Sequence, residues 1–306
     1  MRERTIEHPI KCSGIGLHSG KKVSLSFFPL PTGSGVVWSV KGEEGSRRME
    51  LSPHLVVDTT LCTTIGAGGA CVGTVEHVMA AVRGMEIDNL LIEVDGPEVP
   101  IMDGSAASFV HLFNQAGIVK QLRPKKVYVL TREVRLEEKD KKIVARPDDE
   151  FRVNLSIDFP HPMVGRQHIS YRACPDRFVQ DLARARTFGF LTDVKALQGM
   201  GKALGGSLEN ALVFDQSGVI NSDGFRYPDE PVRHKLLDLI GDLGLMPHQV
   251  VGRFDVHCSG HALNTAFAKC LYENMEEYLH LVDLQEIHRK RSVRAGPVPE
   301  MRVSPA

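Results

Sequence analysis

Alternating apolar and polar positions predict strands in the first third of the chain. Residues 22–28 read Lys-Val-Ser-Leu-Ser-Phe-Phe, and residues 36–40 and 89–94 are short, largely apolar runs. Segments of this kind are typical of strands. From Thr74 onward the apolar positions follow helical spacing, with Thr74 as the candidate N-cap, and a second helix is expected from about 106 to 117.

The same order of elements recurs in the rest of the chain. Strand-like segments lie at 126–130, 134–136, 143–145 and 153–157. Helices are expected at about 175–184, 230–243 and 263–289, with irregular Gly-rich sequence between the first two. Strands followed by two helices, twice over, predict an α+β protein built from two similar halves. We place an N-terminal domain at 1–122, a C-terminal domain at 123–290 and a mobile tail at 291–306.

Composition narrows the class of protein. The chain has 306 residues, which exceeds the usual size of a single core and favours two domains. Lys and Arg number 37 against 38 Asp and Glu, and the resulting net charge of -1 argues against nucleic acid as a partner. The N-terminus lacks the apolar segment of a secretory signal, and no apolar run reaches the roughly 18–20 residues of a membrane-spanning helix. Six cysteines without a Cys-x-x-Cys pair are expected to be reduced thiols, so we expect a cytoplasmic protein.

The most informative segment for chemistry is the expected helix at 230–243. His234 and Asp238 are four residues apart and therefore lie on one face, and Asp242 lies one turn further along the same edge. Leucine and isoleucine cover much of the remaining circumference, so the helix is expected to be buried, where an imidazole and two carboxylates need compensation. If these polar side chains form a stripe that faces solvent, they need no compensation. If they are buried, a zinc ion would compensate them, because zinc accepts both imidazole nitrogen and carboxylate oxygen.

A further candidate ligand lies in the first expected helix, at Glu76-His77. His77, His234 and Asp238 make three protein ligands, which leaves the fourth zinc position open to water, as in catalytic sites. Glu76 points away from the ligand face because consecutive helical residues lie about 100° apart, but it could reach a water beside the ion. A buried histidine bonded to the backbone is the alternative interpretation of His77.

Two other segments could complete a hydrolytic site. His261 follows a glycine at the expected start of a helix, and as a histidinium it could protonate a leaving amine while Asp242 orients it. Thr187 and Phe188 lie in an Arg-Thr-Phe-Gly-Phe segment that would suit a pocket holding an oxyanion beside a sugar, and Leu204-Gly-Gly-Ser207 follows. A loop histidine and a packed turn without catalytic roles are the alternatives.

Seven motifs occur together, and their order along the chain is distinctive. They are Gly16-Leu-His-Ser-Gly20, Thr74-Val-Glu-His77, Val99-Pro-Ile-Met-Asp-Gly-Ser-Ala106, Arg184-Ala-Arg-Thr-Phe-Gly-Phe190, Leu204-Gly-Gly-Ser207, His234-Lys-x-x-Asp-x-x-Gly-Asp242 and Ser259-Gly-His-Ala-Leu-Asn264. Over about residues 3–270 the chain thereby resembles the bacterial UDP-3-O-acyl-N-acetylglucosamine deacetylases, zinc enzymes of the committed step in lipid A synthesis.

The resemblance implies a particular arrangement of the two halves. Each domain would be a β-sheet layered with two α-helices, and the helices of both would pack together between the outer sheets, with the active site at the junction. The first domain would carry a small insert, here near 40–60. The second would carry an insert near 190–221 that forms a passage for the fatty acyl chain.

The resemblance also implies roles for individual residues. The zinc ligands match His77, His234 and Asp238. The catalytic positions match Glu76 as general base, His261 as proton donor, Asp242 as the carboxylate supporting that histidine, and Thr187 as the hydroxyl that stabilises the oxyanion. The substrate-binding positions match Lys235, Phe188, Cys62, His18, Gly206 and Ser207.

Together these matches imply zinc-dependent hydrolysis of the N-acetyl group of UDP-3-O-(3-hydroxyacyl)-N-acetylglucosamine, giving acetate and the free amine. Zn²⁺ is then the expected cofactor, the UDP-linked acylated amino sugar the expected small-molecule partner, and a monomer the expected state. A zinc hydrolase of another amide substrate and a non-catalytic lipid- or nucleotide-binding protein stay open. The missing His-Glu-x-x-His motif argues against the commonest zinc peptidases.

Overall fold

The protein is described by a computed structural model over residues 1–42, 45–287 and 289. The tail predicted at 291–306 lies outside these residues, as do positions 43 and 44 of the small insert expected near 40–60. Strands and helices are mixed along the whole described chain, which confirms the α+β class predicted from the sequence.

Among the described residues before 125 there are ten strands and two α-helices. The strands are β1 (Arg2–Ile6), β2 (Ile10–Ile15), β3 (Lys22–Pro29), β4 (Val36–Gly42), β5 (Gly45–Glu50), β6 (Val56–Asp58), β7 (Thr64–Ala67), β8 (Ala70–Val72), β9 (Leu90–Asp95) and β10 (Ile118–Pro124). The helices are α1 (Glu76–Gly84) and α2 (Ala107–Ala116), and Pro53–Leu55 forms a 3-10 turn. Five strands form one sheet in the order β2-β3-β9-β4-β5, beside a small sheet β6-β7-β8 and the antiparallel pair β1-β10.

Alternation of side chains fixes which face of the five-stranded sheet is buried. In β3 the side chains of Val23, Leu25 and Phe27 are buried, whereas the residues between them are exposed or half-buried. In the neighbouring part of the sheet, Trp38 of β4 is fully buried. A shift of one residue in either strand would turn these apolar groups to the opposite face, so burial specifies the register.

In the described part of the chain, nine strands and five complete α-helices follow residue 125, and residues 284–287 are also helical. The strands are β11 (Lys126–Leu130), β12 (Val134–Glu138), β13 (Lys141–Arg146), β14 (Phe151–Asp158), β15 (Arg166–Arg172), β16 (Phe188–Phe190), β17 (Leu212–Phe214), β18 (Val250–His257) and β19 (Leu279–Asp283). The helices are α3 (Pro175–Arg177), continued by a π-helix over Phe178–Leu182, and then α4 (Leu191–Gly199), α5 (Glu230–Leu243), α6 (His261–Glu273) and α7 (Met275–Tyr278). Seven strands form one sheet with β18 at its centre, because β18 pairs with β11, β13 and β14.

The longer helices contact both large sheets and each other. Helix α2 packs on β2 of the five-stranded sheet, and α6 packs on β12 and β13 of the seven-stranded sheet. Helix α1 packs against α2 and α5, and α5 packs against α6, so the helices meet along α1 and α5. The domain boundary placed at residue 122 stays a prediction, and that residue lies within β10. Of the helices in the described ranges, none combines the length and hydropathy needed to span a membrane.

The last predicted helix is wrong over residues 279–283, which form a strand, whereas residues 284–287 are helical again. A helix was expected over 263–289, but α6 ends at Glu273, and after α7 the chain forms β19. Leu279–Asp283 pairs antiparallel with β11, so pairing with a distant strand overrides the local helical pattern. The expected irregular segment after residue 184 is also wrong, because it contains α4 and the parallel pair β16-β17.

Thr74 does not cap α1. Its backbone has φ of 59°, and the residue that precedes the helix directly is Val75, which makes no side-chain capping bond. The Thr74 hydroxyl instead donates to Glu98 Oε2 at 3.2 Å. Glu98 is buried and also accepts from the main-chain nitrogens of His18 at 3.2 Å and Ser19 at 2.7 Å, so it ties the start of α1 to the loop after β2.

Candidate active site

Three buried side chains from α1 and α5 converge at the helix junction. His77 is 3% exposed, and His234 and Asp238, one turn apart on α5, are each 2% exposed. His77 Nε2 lies 3.8 Å from Asp238 Oδ1, and His234 Nε2 lies 3.2 Å from the same oxygen. One potential ligand atom from each residue lies within 4.8 Å of the other two. The structure therefore brings together the three ligands expected from the sequence.

The chemistry of this cluster fits a divalent cation. His234 Nδ1 lies 3.0 Å from the carbonyl oxygen of Ala185, which can only accept, so in the neutral ring the proton is on Nδ1 and Nε2 carries the lone pair. That lone pair faces Asp238 Oδ1, which is buried and has no hydrogen-bond partner in the described part of the chain. Two acceptors that face each other away from water are unfavourable unless a cation lies between them. Imidazole nitrogen and carboxylate oxygen are ligands that zinc accepts.

The protonation states of the cluster suit metal binding. Burial lowers the pKa of His77 to about 3, and the neighbouring His234 acts in the same direction. Burial raises the pKa of Asp238, but His234 and Lys235 outweigh burial and hold that pKa well below its usual value. Lys235 Nζ lies 2.8 Å from Asp238 Oδ2. A neutral imidazole and an ionised carboxylate are the forms in which these side chains bind metals.

Glu76, the first residue of α1, is buried next to the cluster. Its Oε2 accepts from the main-chain nitrogen of Thr63 at 3.0 Å, and its Oε1 lies 3.8 Å from His261 Nε2. Burial raises the pKa of Glu76 to about 7; His261 opposes this shift, whereas Asp242 and Asp238 add to it. A carboxyl group that titrates near neutrality can both accept and release a proton at physiological pH.

His261, which is half-buried, pairs with the buried Asp242. His261 Nδ1 lies 3.0 Å from Asp242 Oδ2, which also accepts from Asn264 Nδ2 at 2.9 Å. The hydroxyl of Thr63 donates to the other oxygen of Asp242 at 2.5 Å. Burial lowers the pKa of His261, but Asp242 and then Glu76 outweigh burial and raise it to about 10. His261 is therefore an imidazolium at neutral pH, and its Nε2 is available as a proton donor.

Two of the residues predicted to face the substrate lie beside the metal-ligand cluster, which consists of His77, His234 and Asp238. The ring of Phe188 is centred 6.4 Å from that of His234 and 5.7 Å from Lys235 Nζ. Thr187 is half-buried, and its main-chain nitrogen donates to the carbonyl oxygen of Gly104 at 2.8 Å. The Gly104 bond thus holds the chain at the start of β16, and Phe188 faces His234 of α5.

His18 and Cys62 line a cavity of about 400 Å³. Both ring nitrogens of His18 are buried and lack a hydrogen-bond partner among the described residues. Burial raises the pKa of the Cys62 thiol to about 11, so it is uncharged, and all six cysteines are unpaired, as expected. The Leu204 nitrogen donates to the His18 carbonyl oxygen at 3.2 Å, which places the turn containing Gly206 and Ser207 on the His18 segment.

Several residues that support the site have no role in the sequence analysis. Thr63 bonds to Asp242 across 179 positions of the chain, and no local pattern marks such a contact. Asn264 belongs to the same motif as His261, which was the only signal for its part in holding Asp242. Arg186 and Glu230 form a buried ion pair next to Thr187. Arg186 lies in the motif over 184–190, whereas Glu230 lies in none of the seven motifs.

Comparison with known proteins places the chain in a family. Residues 3–273 match the profile of the UDP-3-O-acyl N-acetylglycosamine deacetylase family. The chain is 48% identical to the UDP-3-O-acyl-N-acetylglucosamine deacetylase of Oleidesulfovibrio alaskensis, over 97% of this chain and 98% of the relative. It is 50% identical to that of Nitratidesulfovibrio vulgaris, over 93% and 92% of the two chains. The corresponding protein of Acidithiobacillus ferrooxidans is 46% identical over 89% of this chain and 90% of its own. The chain belongs to the UDP-3-O-acyl N-acetylglycosamine deacetylase family.

Proposed function

We propose that this protein is a zinc-dependent deacetylase acting on UDP-3-O-(3-hydroxyacyl)-N-acetylglucosamine, in the committed step of lipid A synthesis. The reaction hydrolyses the N-acetyl group to acetate and leaves the free amine. Two observations support the proposal: the family membership, and a buried His-His-Asp cluster whose Asp238 Oδ1 lacks a partner among the described residues. The second observation carries the metal dependence.

His77, His234 and Asp238 would hold the zinc ion. Three protein ligands leave a coordination position open, as expected of a catalytic rather than structural site. When bound, the ion would supply Lewis-acid polarisation at that position. The neighbouring residues would handle the protons and orient the substrate.

Glu76 and His261 divide the proton transfers between them. Glu76, with its pKa raised to about 7, would accept a proton from the water that attacks the acetamide carbonyl carbon. His261, held charged by Asp242, would give its Nε2 proton to the amine nitrogen as the carbon–nitrogen bond breaks. The Thr187 hydroxyl would donate to the oxyanion that develops on the carbonyl oxygen.

Aromatic residues of the second insert suit the remainder of the substrate. Phe190 and Phe214 have ring centroids 5.8 Å apart, and both line a cavity of about 650 Å³ with Leu191 of α4. This cavity is also lined by polar side chains such as Asp193 and Lys195, so we assign only its apolar wall, formed by Phe190, Leu191 and Phe214, to the acyl chain. The Phe188 ring is assigned to the sugar. Lys235 is assigned to the substrate as well, because its Nζ atom lies close to both Asp238 Oδ2 and the face of the Phe188 ring. A cytoplasmic monomer stays the expected state.

Metal content and acetate release test the proposal together. The purified protein is expected to contain about one zinc per chain and to release acetate from the acylated nucleotide sugar, with both lost after chelation and both recovered with Zn²⁺. A peptide substrate in parallel tests the alternative of another amide hydrolase. A protein that binds the nucleotide sugar but neither metal nor acetate release would be a non-catalytic binding protein, and the proposal would fail.

A further inference from the structure

A fully buried ion pair joins α5 to the segment before β16. Arg186 is 1% exposed and Glu230 is 0% exposed. The Arg186 Nε and Nη2 atoms lie 2.9 and 3.2 Å from the two oxygens of Glu230, and the main-chain nitrogen of Arg186 donates to Glu230 Oε1 at 2.9 Å. The guanidinium also donates to Asp223 Oδ2 at 2.9 Å and to the Gly224 carbonyl oxygen at 2.6 Å.

The two partners stand next to groups of the metal-ligand cluster. Glu230 is four residues before His234 on α5, so both lie on one face of the helix. Arg186 directly follows Ala185, whose carbonyl oxygen accepts from His234 Nδ1 at 3.0 Å, and directly precedes Thr187. The ion pair and the His234 bond are therefore parallel links between the same short segment and the same helical face.

Stability alone does not account for two charges at this position. A buried ion pair is commonly no more stabilising than apolar residues of the same volume, because desolvation of both charges offsets their attraction. A bidentate pair does, however, fix distance and direction more sharply than apolar contacts do. The group with most to gain from that precision is His234, whose Nδ1 bond decides which ring nitrogen is free to bind a metal.

We propose that Arg186 and Glu230 are positioning residues for His234. By fixing residues 185–188 to the first turn of α5, they keep the Ala185 carbonyl in line with His234 Nδ1, and so orient the ring with Nε2 aimed at the cluster. The same pair sets the position of Thr187. This inference rests on the proposed function, because it assigns His234 to a metal.

The test uses full-length protein and measures the metal site independently of catalysis. Zn²⁺ affinity is determined by competition with a chromophoric chelator, the visible absorption spectrum of the Co²⁺-loaded protein reports ligand geometry, and thermal unfolding of the metal-free protein reports stability. The variants are Arg186→Met, Arg186→Lys and the uncharged double variant Arg186→Met/Glu230→Gln. Arg233→Met is the matched control, because it removes an α5 arginine whose Nε lies 2.5 Å from Asp229 at the same end of the helix.

Arg186→Met is expected to lose about 10- to 100-fold in Zn²⁺ affinity, the usual effect of removing a group that orients a metal ligand, and to alter the Co²⁺ spectrum. Arg186→Lys should recover part of that loss, since it keeps a positive charge opposite Glu230. The double variant should regain thermal stability without regaining affinity, because no charge is left buried alone. Arg233→Met should bind both metals as the wild type does.

Three results would overturn the proposal. One is a folded Arg186→Met protein with wild-type Zn²⁺ affinity and Co²⁺ spectrum. Another is a double variant that recovers affinity together with stability, because the pair would then serve folding alone. The third is failure of every Arg186 variant to fold, which would make Arg186 a folding determinant. Absence of Zn²⁺ binding by the wild type would instead reject the proposed function, and this inference with it.

Discussion

The close contact between α1 and α5 can be tested with one methyl group. Gly241 of α5 faces the backbone of Glu76, and a Cβ at this position would lie 2.1 Å from the Glu76 carbonyl oxygen. An ordinary contact begins near 3.4 Å, so Gly241→Ala requires the two backbones to separate by about 1.3 Å. His77 follows Glu76 directly, whereas His234 and Asp238 lie on α5, so the separation pulls one ligand away from the other two.

The expected effect is large because metal–ligand distances vary by only about 0.2 Å in working sites. We expect Gly241→Ala to lose at least about 100-fold in Zn²⁺ affinity, and overpacking to cost about 1–3 kcal/mol of metal-free stability. The assay is chelator competition on protein shown to be folded by circular dichroism. Gly199→Ala is the control, because this exposed helical glycine has no atom within 4 Å of an added Cβ. Wild-type Zn²⁺ affinity in a folded Gly241→Ala protein would refute the reasoning.

Three further predictions follow from the site. Glu76→Gln should lower acetate release by about 10²- to 10⁴-fold with zinc content unchanged, since it removes the proton acceptor but no ligand; normal turnover would exclude Glu76 as the base. Asp242→Asn should move the alkaline limb of kcat/KM to lower pH, because Asp242 is the main group that raises the pKa of His261 from 6.5 to about 10. In the wild type the protonated His261 contributes stability that is complete below about pH 6.5 and is lost as the pH rises towards 10. Thermal unfolding measured against pH should show a narrower pH range for this loss in Asp242→Asn. An unchanged range would contradict the pairing of His261 with Asp242. Chelation should lower the unfolding temperature, and Zn²⁺ at 100 times its Kd should raise the free energy of unfolding by about 2.7 kcal/mol, measured by differential scanning calorimetry. Equal unfolding temperatures with and without metal would argue against a metal site in the folded protein.

Strong periodicity was sufficient to predict some elements closely. The apolar pattern gave a helix over 230–243, and α5 spans Glu230–Leu243. The failure at β19 has a physical cause, because that strand owes its conformation to pairing with β11, about 150 positions earlier in the chain. Thr74 failed as a cap for a related reason: its hydroxyl is bound by Glu98, and a local rule does not see that partner.

The residues of the site likewise fall into those that local spacing predicts and those that depend on distant contacts. Spacing alone places His234 and Asp238 on one helical face, because four residues make about one turn. No periodicity brings His77 to them; its residue type made it a candidate third ligand, and the resemblance to a known family implied the same set. Contacts that lack both a local pattern and an assigned role, such as Thr63 with Asp242 and Arg186 with Glu230, became visible only in the folded chain. The first contact holds Asp242, the partner of His261, and the second joins α5 to the segment before β16.

The central position of β18 has a consequence for biosynthesis. This strand comes from Val250–His257, yet it joins β11, β13 and β14, which the ribosome produces about 100 residues earlier. The hairpins β12-β13 and β14-β15 can pair as they emerge, but their inner edges stay open until β18 arrives. Open edges recruit other strands, so a chain stalled before residue 250 would be a target for aggregation or chaperone capture. In the five-stranded sheet the corresponding inner strand is β9, which follows β4 by only about 50 residues, so the open edges of β3 and β4 are paired sooner.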